Sequence, residues 1–223
     1  MKSKYFISVN PLAEFSNGTE FQKRRILKQQ KKPNKFLIPW YQKCKGAIKK
    51  FLFNISDYSP INQAIIVLNE KIPLTDRQMI DKKVSILALE EIKKVKLPKE
   101  LKQLDYEVVQ IEDKSFIMND VDIIVAPEVV IKAKINGTVV YGGIKIHISK
   151  GKPFSFDQAQ YVATSIFKLL DEKVKKSNEF VHPSLCFCLD VFAGRFVSPP
   201  DDIVKELSKI SIFCQEIKDY WPN

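Results

Sequence analysis

The pair Asn136-Gly137 constrains this chain more than any other short stretch. It separates two apolar-rich runs, "PEVVIKAKI" (127–135) and "TVVYGGIKIHIS" (138–149). Asn-Gly suits a two-residue turn in which both central residues take positive φ, so the runs are expected to fold back as a β-hairpin. Such a turn fixes register. Ile135 faces Thr138, and each step outward keeps the position sum, so Lys134 faces Val139, Lys132 faces Tyr141, Val130 faces Gly143 and Glu128 faces Lys145. Side chains alternate, so these residues share one face. Val129, Ile131, Ala133 and Ile135 share the other with Thr138, Val140, Gly142 and Ile144. The second face is the drier one and is expected to be the core, leaving Glu128 and Lys145 as neighbours on the wet face. Gly142-Gly143 is where a bulge would disturb this register.

Upstream the apolar period is helical. "EFQKRRILKQQKK" stops before Pro33, and "PWYQKCKGAIKKFLFN" puts Tyr41, Cys44, Ile48, Phe51 and Leu52 near one face. "SPINQAIIVLNEKI" opens with Ser59 as cap and Pro60 at the first helical position. "LTDRQMIDKKVSILALEEIKKVK" opens on Thr75 or Asp76 and ends at Leu97-Pro98. The period then shortens. "YEVVQIE" and "SFIMNDVDIIV" are expected as strands ahead of the hairpin. "SFDQAQYVATSIFKLLDEKVKK" is an amphipathic helix with Asp157 as cap. "SLCFCLDVF" is a strand that turns at Ala193-Gly194 into "RFVSPP", and Asp201 caps a last helix. The fold class is α/β, a mixed central sheet with a helical N-terminal part and a C-terminal helix. We expect one domain over 1–223: 1–104 mainly helical and basic, and 105–223 holding the sheet core with a C-terminal hairpin and helix.

The net charge of +10 points to an anionic partner. Its distribution is sharper than its total. No acid occurs from Phe21 to Ser56, and eleven basic residues fall between Lys23 and Lys50, Lys35 among them. Arg24, Arg25, Lys28, Lys31 and Lys32 are the expected backbone-binding set for DNA or RNA. A solvated helix face, or one that meets an acidic protein partner, is the other reading. No apolar stretch approaches the roughly 20 residues that span a bilayer, so no membrane partner and a cytoplasmic location are expected. Cys44, Cys186, Cys188 and Cys214 lack metal-ligand spacing and read as buried small residues. Neither His147 nor His182 has a partner at catalytic spacing. No glycine signature of a Rossmann or P-loop enzyme is present.

Several of these motifs together resemble the PD-(D/E)XK nuclease superfamily, the restriction-endonuclease-like fold, and within it the RecB/Cas4-like exonucleases. The resemblance covers roughly Val121 to Val191. Pro127-Glu128 stands at the Pro-Asp position, and Gly143-Ile144-Lys145 at Asp/Glu-x-Lys. "DQAQY" (157–161) is similar to the Gln-x-x-x-Tyr element, with Gln158 and Tyr161 one residue too close. "NPLAEFSNGTEFQKRR" resembles the segment leading into the first helix. The implied core order is helix-β-β-β-helix-β. The implied site is a magnesium ion on Glu128 with Lys145 at the attacking water, since a hard cation activates water and a lysine stabilises the developing charge. Gly143 supplies no second acid, so Asp122, Asp120 or Glu14 would have to complete the ligand set. A plain cross-strand ion pair is the competing reading of Glu128 and Lys145, and helix packing that of Gln158 and Tyr161.

Three functions follow as expectations. One is a magnesium-dependent nuclease. Another is a nucleic-acid-binding relative that has lost its metal site. The third is a non-enzymatic interaction or regulatory component of a phage-defence or toxin-type system, docking through its end, "FCQEIKDYWPN".

Overall fold

A computed structural model describes residues 3–33, 41–174 and 179–222. Lys35, Pro39 and Trp40, which the sequence reading used, lie outside the described residues. The architecture is mixed α/β, with eight helices and two sheets among those residues. The larger sheet has five strands. β2 (Tyr106–Val109), β5 (Val129–Ile135), β6 (Thr138–His147), β7 (Glu179–Asp190) and β8 (Arg195–Val197) lie side by side in that order. β5 and β6 form the expected hairpin, with Asn136 and Gly137 at φ +50° and +81°. Val129 pairs with Ile144 and each later pair keeps the position sum, to Ile135 with Thr138. β6 and β7 run parallel, joined by helix α7 (Phe156–Lys173). The irregularity falls beside Gly142, but its extra residues belong to β7, where Val181 pairs Tyr141 and Cys186 pairs Gly143.

The second sheet corrects the sequence reading. "SFIMNDVDIIV" is not one strand. It is a tight hairpin, β3 (Ser115–Met118) and β4 (Val121–Ile124), which turns at Asn119 and Asp120, both at positive φ. β1 (Tyr5–Ser8), which periodicity did not suggest, runs parallel to β4 and makes it a three-stranded sheet. Four residues are too short a run for a period to declare itself. Five strands, not three, therefore separate the helical part from α7.

Both faces of the five-stranded sheet are covered, so the wet face expected for Val130 and Gly143 is dry at its centre. Val130, Cys186 and Cys188 pack with Ile166, Leu169 and Leu170 of α7, in a cluster that also takes in α1 (Val9–Ser16) and α8 (Ile203–Tyr220). Val129, Ile131, Val140, Ile144, Phe187 and Leu189 pack against α3 (Gln42–Phe51), α4 (Ser59–Glu70) and α5 (Asp76–Lys94). Short helix α6 (Lys99–Gln103) leads into β2. The basic helix α2 (Glu20–Lys31) starts with a capping box between Thr19 and Gln22.

Caps shift slightly from expectation. Ser155, not Asp157, caps α7, with Gln158 closing a capping box, and Asp202, not Asp201, caps α8. In α4, Tyr58 takes the cap position and Ser59 is already helical, while Thr75 caps α5 as one of the two expected residues.

Gly143 has a packing reason. A Cβ there would sit 2.8 Å from Cγ2 of Ile166 and 3.4 Å from Cδ1 of Leu170. Helix α7 thus lies directly on the position where the resemblance calls for the second acid. Gly143→Asp should cost about 2–4 kcal/mol, from overpacking plus an unpaired buried charge. Urea unfolding would register this as a lower midpoint with no gain in magnesium affinity.

Candidate functional site

Glu128 and Lys145 meet. Lys145 Nζ lies 3.2 Å from Glu128 Oε1, and the side chains are only 11% and 10% exposed. The backbone explains the contact. The Glu128 N–H donates to the Ile144 carbonyl at 2.9 Å, one step beyond the paired part of the hairpin. The Ile146 N–H then donates to Glu128 Oε2 at 2.7 Å, so the carboxylate stands in for a ladder carbonyl. Lys145 Nζ also donates to the Ala126 carbonyl at 2.7 Å. Ala126 is at φ +41° immediately before Pro127, a conformation disfavoured both for a residue with a Cβ and for one preceding proline. Strain of this kind, on the order of 1–3 kcal/mol, persists where surrounding bonds over-determine the backbone. Here the Val125 and Ala126 N–H groups both donate to the Lys114 carbonyl.

A third group completes the cluster. Lys45 of α3 brings its Nζ to 2.6 Å from Glu128 Oε1. In sequence Lys45 is only one of eleven basic residues between Lys23 and Lys50. What brings it here is the apolar face of α3, whose Cys44, Ala47, Ile48 and Phe51 are buried. One carboxylate is therefore held by two ammonium groups and an amide N–H. Lys49 and Lys114 line a cavity of about 320 Å³ with Pro127 and Glu128. Burial pushes the Lys145 ammonium below the usual lysine range. Glu128 partly offsets that push, and Lys45 adds to it.

The other expected site residues part company. Asp122 sits on β4 in the smaller sheet, where its Oδ1 is buried without a hydrogen-bond donor. Asp120 turns to Lys218 of α8 at 3.6 Å and is largely exposed. Gln158 closes the α7 capping box and donates to the Ala13 carbonyl at 2.8 Å. Tyr161 is buried against Phe213 of α8, with Lys209 over its ring. Both have packing or capping roles, and no hydrogen bond or ion pair joins either to Glu128 among the described residues. Among the described residues, no group of three or more His, Cys, Asp or Glu side chains is placed to hold a metal. The donors at Glu128 do not fit magnesium as they stand. Two ammonium groups already crowd Oε1, and Gly143 adds no oxygen from a side chain.

On α2, Arg25, Lys28 and Lys32 are exposed and spaced as one helical face. Arg24 pairs with Glu20 at 2.9 Å and lies over the Tyr220 ring, and Lys31 donates to the Pro222 carbonyl at 2.8 Å. Those two are partly spent inside the molecule. The C-terminal end is also partly occupied. Trp221 packs edge-on against Tyr5 and Phe6, and Cys214 and Ile217 are buried, so part of "FCQEIKDYWPN" is committed to the core, while Gln215 and Asp219 are exposed and Asn223 lies outside the described residues. All four cysteines are buried, and burial pushes the Cys44 and Cys214 thiols up to about 12, which suits packing and not nucleophilic attack.

No protein-family profile matches the chain, and no curated protein matches it. No helix among the described residues is long and apolar enough to cross a membrane.

Removing Glu128 would strand a buried ammonium. Glu128→Ala should therefore cost about 3–5 kcal/mol in urea unfolding. A pH series isolates Lys145. At low pH both the folded and unfolded chains carry its proton, and burial of the charge opposes folding in full. Between the lowered folded pKa and the ordinary lysine value the unfolded chain binds more protons, so stability should rise with pH. Lys145→Met should lose that rise while keeping the rest of the wild-type profile.

Proposed function

We propose that this protein is a restriction-endonuclease-like relative that binds the phosphate backbone of DNA or RNA without a metal and without cutting it. The observation that carries the reading is the Glu128 carboxylate closed between Lys45 and Lys145. A hydrolytic site of the PD-(D/E)XK kind needs acids free to hold a cation. This one holds its own cations, and the neighbouring Lys49 and Lys114 leave the cluster with excess positive charge. Phosphate oxygens neutralise such an excess, releasing counterions as they do so. The fold supports the reading. A hairpin carrying Glu128 and Lys145, then a helix, then a strand parallel to β6, puts the cluster at the carboxyl end of β6, where open α/β sheets take their ligands. The exposed α2 face of Arg25, Lys28 and Lys32 extends the basic surface.

A second reading rests on a different surface. Ile66, Ile72, Leu74, Met79, Ile80 and Leu87, all exposed, cluster on α4, α5 and their connection. That is the place where an interaction component, of a phage-defence system for instance, would present itself to a protein partner.

Fluorescence anisotropy with mixed-sequence DNA and RNA, with EDTA or with magnesium, separates these readings. We expect binding that weakens steeply with salt, ignores EDTA and leaves the polymer intact. Arg25→Ala with Lys28→Ala should lower the salt slope by about two. Magnesium-dependent cleavage that Lys145→Ala abolishes would restore the enzyme. Absence of salt-sensitive binding would leave the interaction reading.

A further inference from the structure

The cleft on the far side of Lys45 has a composition that the backbone reading does not use. It measures about 620 Å³, within the range of roughly 300–1,000 Å³ typical of small-molecule sites. Its walls come from four places. α1 gives Asn10 and Glu14, the start of α3 gives Tyr41 and Lys45, α5 gives Ile80 and Val84, and the end of β6 with its following loop gives residues 146–151.

Three features give the cleft a ligand chemistry. The first is a cation. Lys150 is exposed on the loop after β6, and among the described residues no acid pairs with it. The second is a pair of acceptors without donors. Glu14 is half-buried and has no ion pair among the described residues, and Asn10 Oδ1 is buried with no donor while its amide nitrogen holds the Ile146 carbonyl at 3.3 Å. The third is a rigid, partly apolar wall. Tyr41 is held by its own N–H on Asp81 Oδ1 at 2.9 Å and by an edge contact of its ring with Phe192, and Ile80 and Val84 line the same cleft.

The loop itself is held at both ends. The His147 ring stacks on Phe154 at 3.5 Å, and His147 Nε2 is 2.9 Å from the Lys152 carbonyl. Asp190 accepts from the Phe154 N–H, and Arg195 donates to the Phe154 carbonyl at 2.7 Å. Lys150 is thus presented on a braced segment, which lowers the ordering cost of binding.

A cation for phosphate, acceptors for ring and exocyclic N–H, and an aromatic and aliphatic wall for a flat ring describe one ligand class. We infer that this cleft binds a single nucleoside monophosphate unit, its phosphate on Lys150 and the hydrogen-bonding edge of its base toward Glu14 and Asn10. The unit is either a free mononucleotide or the phosphorylated end of a strand. This inference deepens the nucleic-acid reading and rests on it. In that reading the lysine cluster at Glu128 takes the following backbone, since Lys45 borders both places.

Isothermal titration of the full chain with AMP, inorganic phosphate, adenosine and a 5′-phosphorylated 12-mer with its unphosphorylated twin provides the test. AMP should bind more tightly than either phosphate or adenosine. Lys150→Ala should weaken AMP at least about tenfold, as loss of a charge-assisted contact does. Lys150→Arg should retain binding, and Arg25→Ala with Lys28→Ala should leave AMP unaffected. A phosphorylated 12-mer that outbinds its twin makes the strand end the ligand, and equal 12-mers with tight AMP make it the free nucleotide. If both 12-mers bind in a salt-sensitive way but AMP binds no better than inorganic phosphate, or Lys150→Ala changes nothing, the cleft inference fails and backbone binding stands. If no probe binds, both fail.

Discussion

A carboxylate with only a tenth of its surface in water has few stable arrangements, and Glu128 has found one of them. It is held by Lys45, Lys145 and the Ile146 N–H, which come from two different structural commitments. Lys145 and Ile146 belong to the hairpin, and Lys45 belongs to a helix that packs on the opposite face of the sheet from α7. The ion cluster therefore fixes α3 to the end of the sheet at one point, while the apolar layer below fixes it along its length. Ion clusters of this type contribute little net free energy compared with apolar packing. Their effect is on arrangement, because a slip of α3 would take away one of the two ammonium groups that hold the buried carboxylate.

The same cluster explains why the resemblance to a nuclease stops short of a nuclease's electrostatics. The Pro-Glu and Gly-x-Lys elements stand where the sequence placed them. The charges beside them are positive: Lys45 of α3 is ion-paired to Glu128 and Lys114 lines the adjoining cavity, whereas a metal site would need further ligand oxygens. Helix α7 presses on Gly143 closely enough to exclude any side chain without repacking. An acid at that position would not be a one-step change, since the helix above would have to retreat.

Much of this was legible in the sequence, for identifiable reasons. Asn-Gly dictated a turn whose register follows by counting, so the Glu128–Lys145 contact followed from local chemistry alone. Long amphipathic helices such as α7 declare themselves through repetition. What escaped was short or non-local. β1 and the β3–β4 hairpin are four-residue strands, and Asn119-Asp120 is a weaker turn signal than Asn-Gly. The dryness of the Val130 face depended on α7 returning over it, and no hairpin pattern contains that information. Lys45 was hidden for the same reason. It sits in a lysine-rich run with Lys43, Lys49 and Lys50, and its role comes from residues 83 and 100 positions away. Gln158 and Tyr161 were singled out by their spacing, but they serve capping and packing, which that spacing serves equally well.

Strand β7 carries one more consequence. Between its pairings with Tyr141 and Gly143 it runs from Val181 to Cys186, so two steps on β6 answer to five on β7. The excess is taken up around His182-Pro183-Ser184, where the Ser184 hydroxyl lies 2.8 Å from His182 Nδ1, and the Leu185 carbonyl comes so close to Gly142 that a Cβ there would collide with it. The strand is mechanically two pieces. The inner one, Cys186–Asp190, is buried on both faces, and the outer one, Glu179–Val181, holds only the rim of the sheet. The rim can open and reclose on its own, because the ladder that would transmit the opening inward is already interrupted.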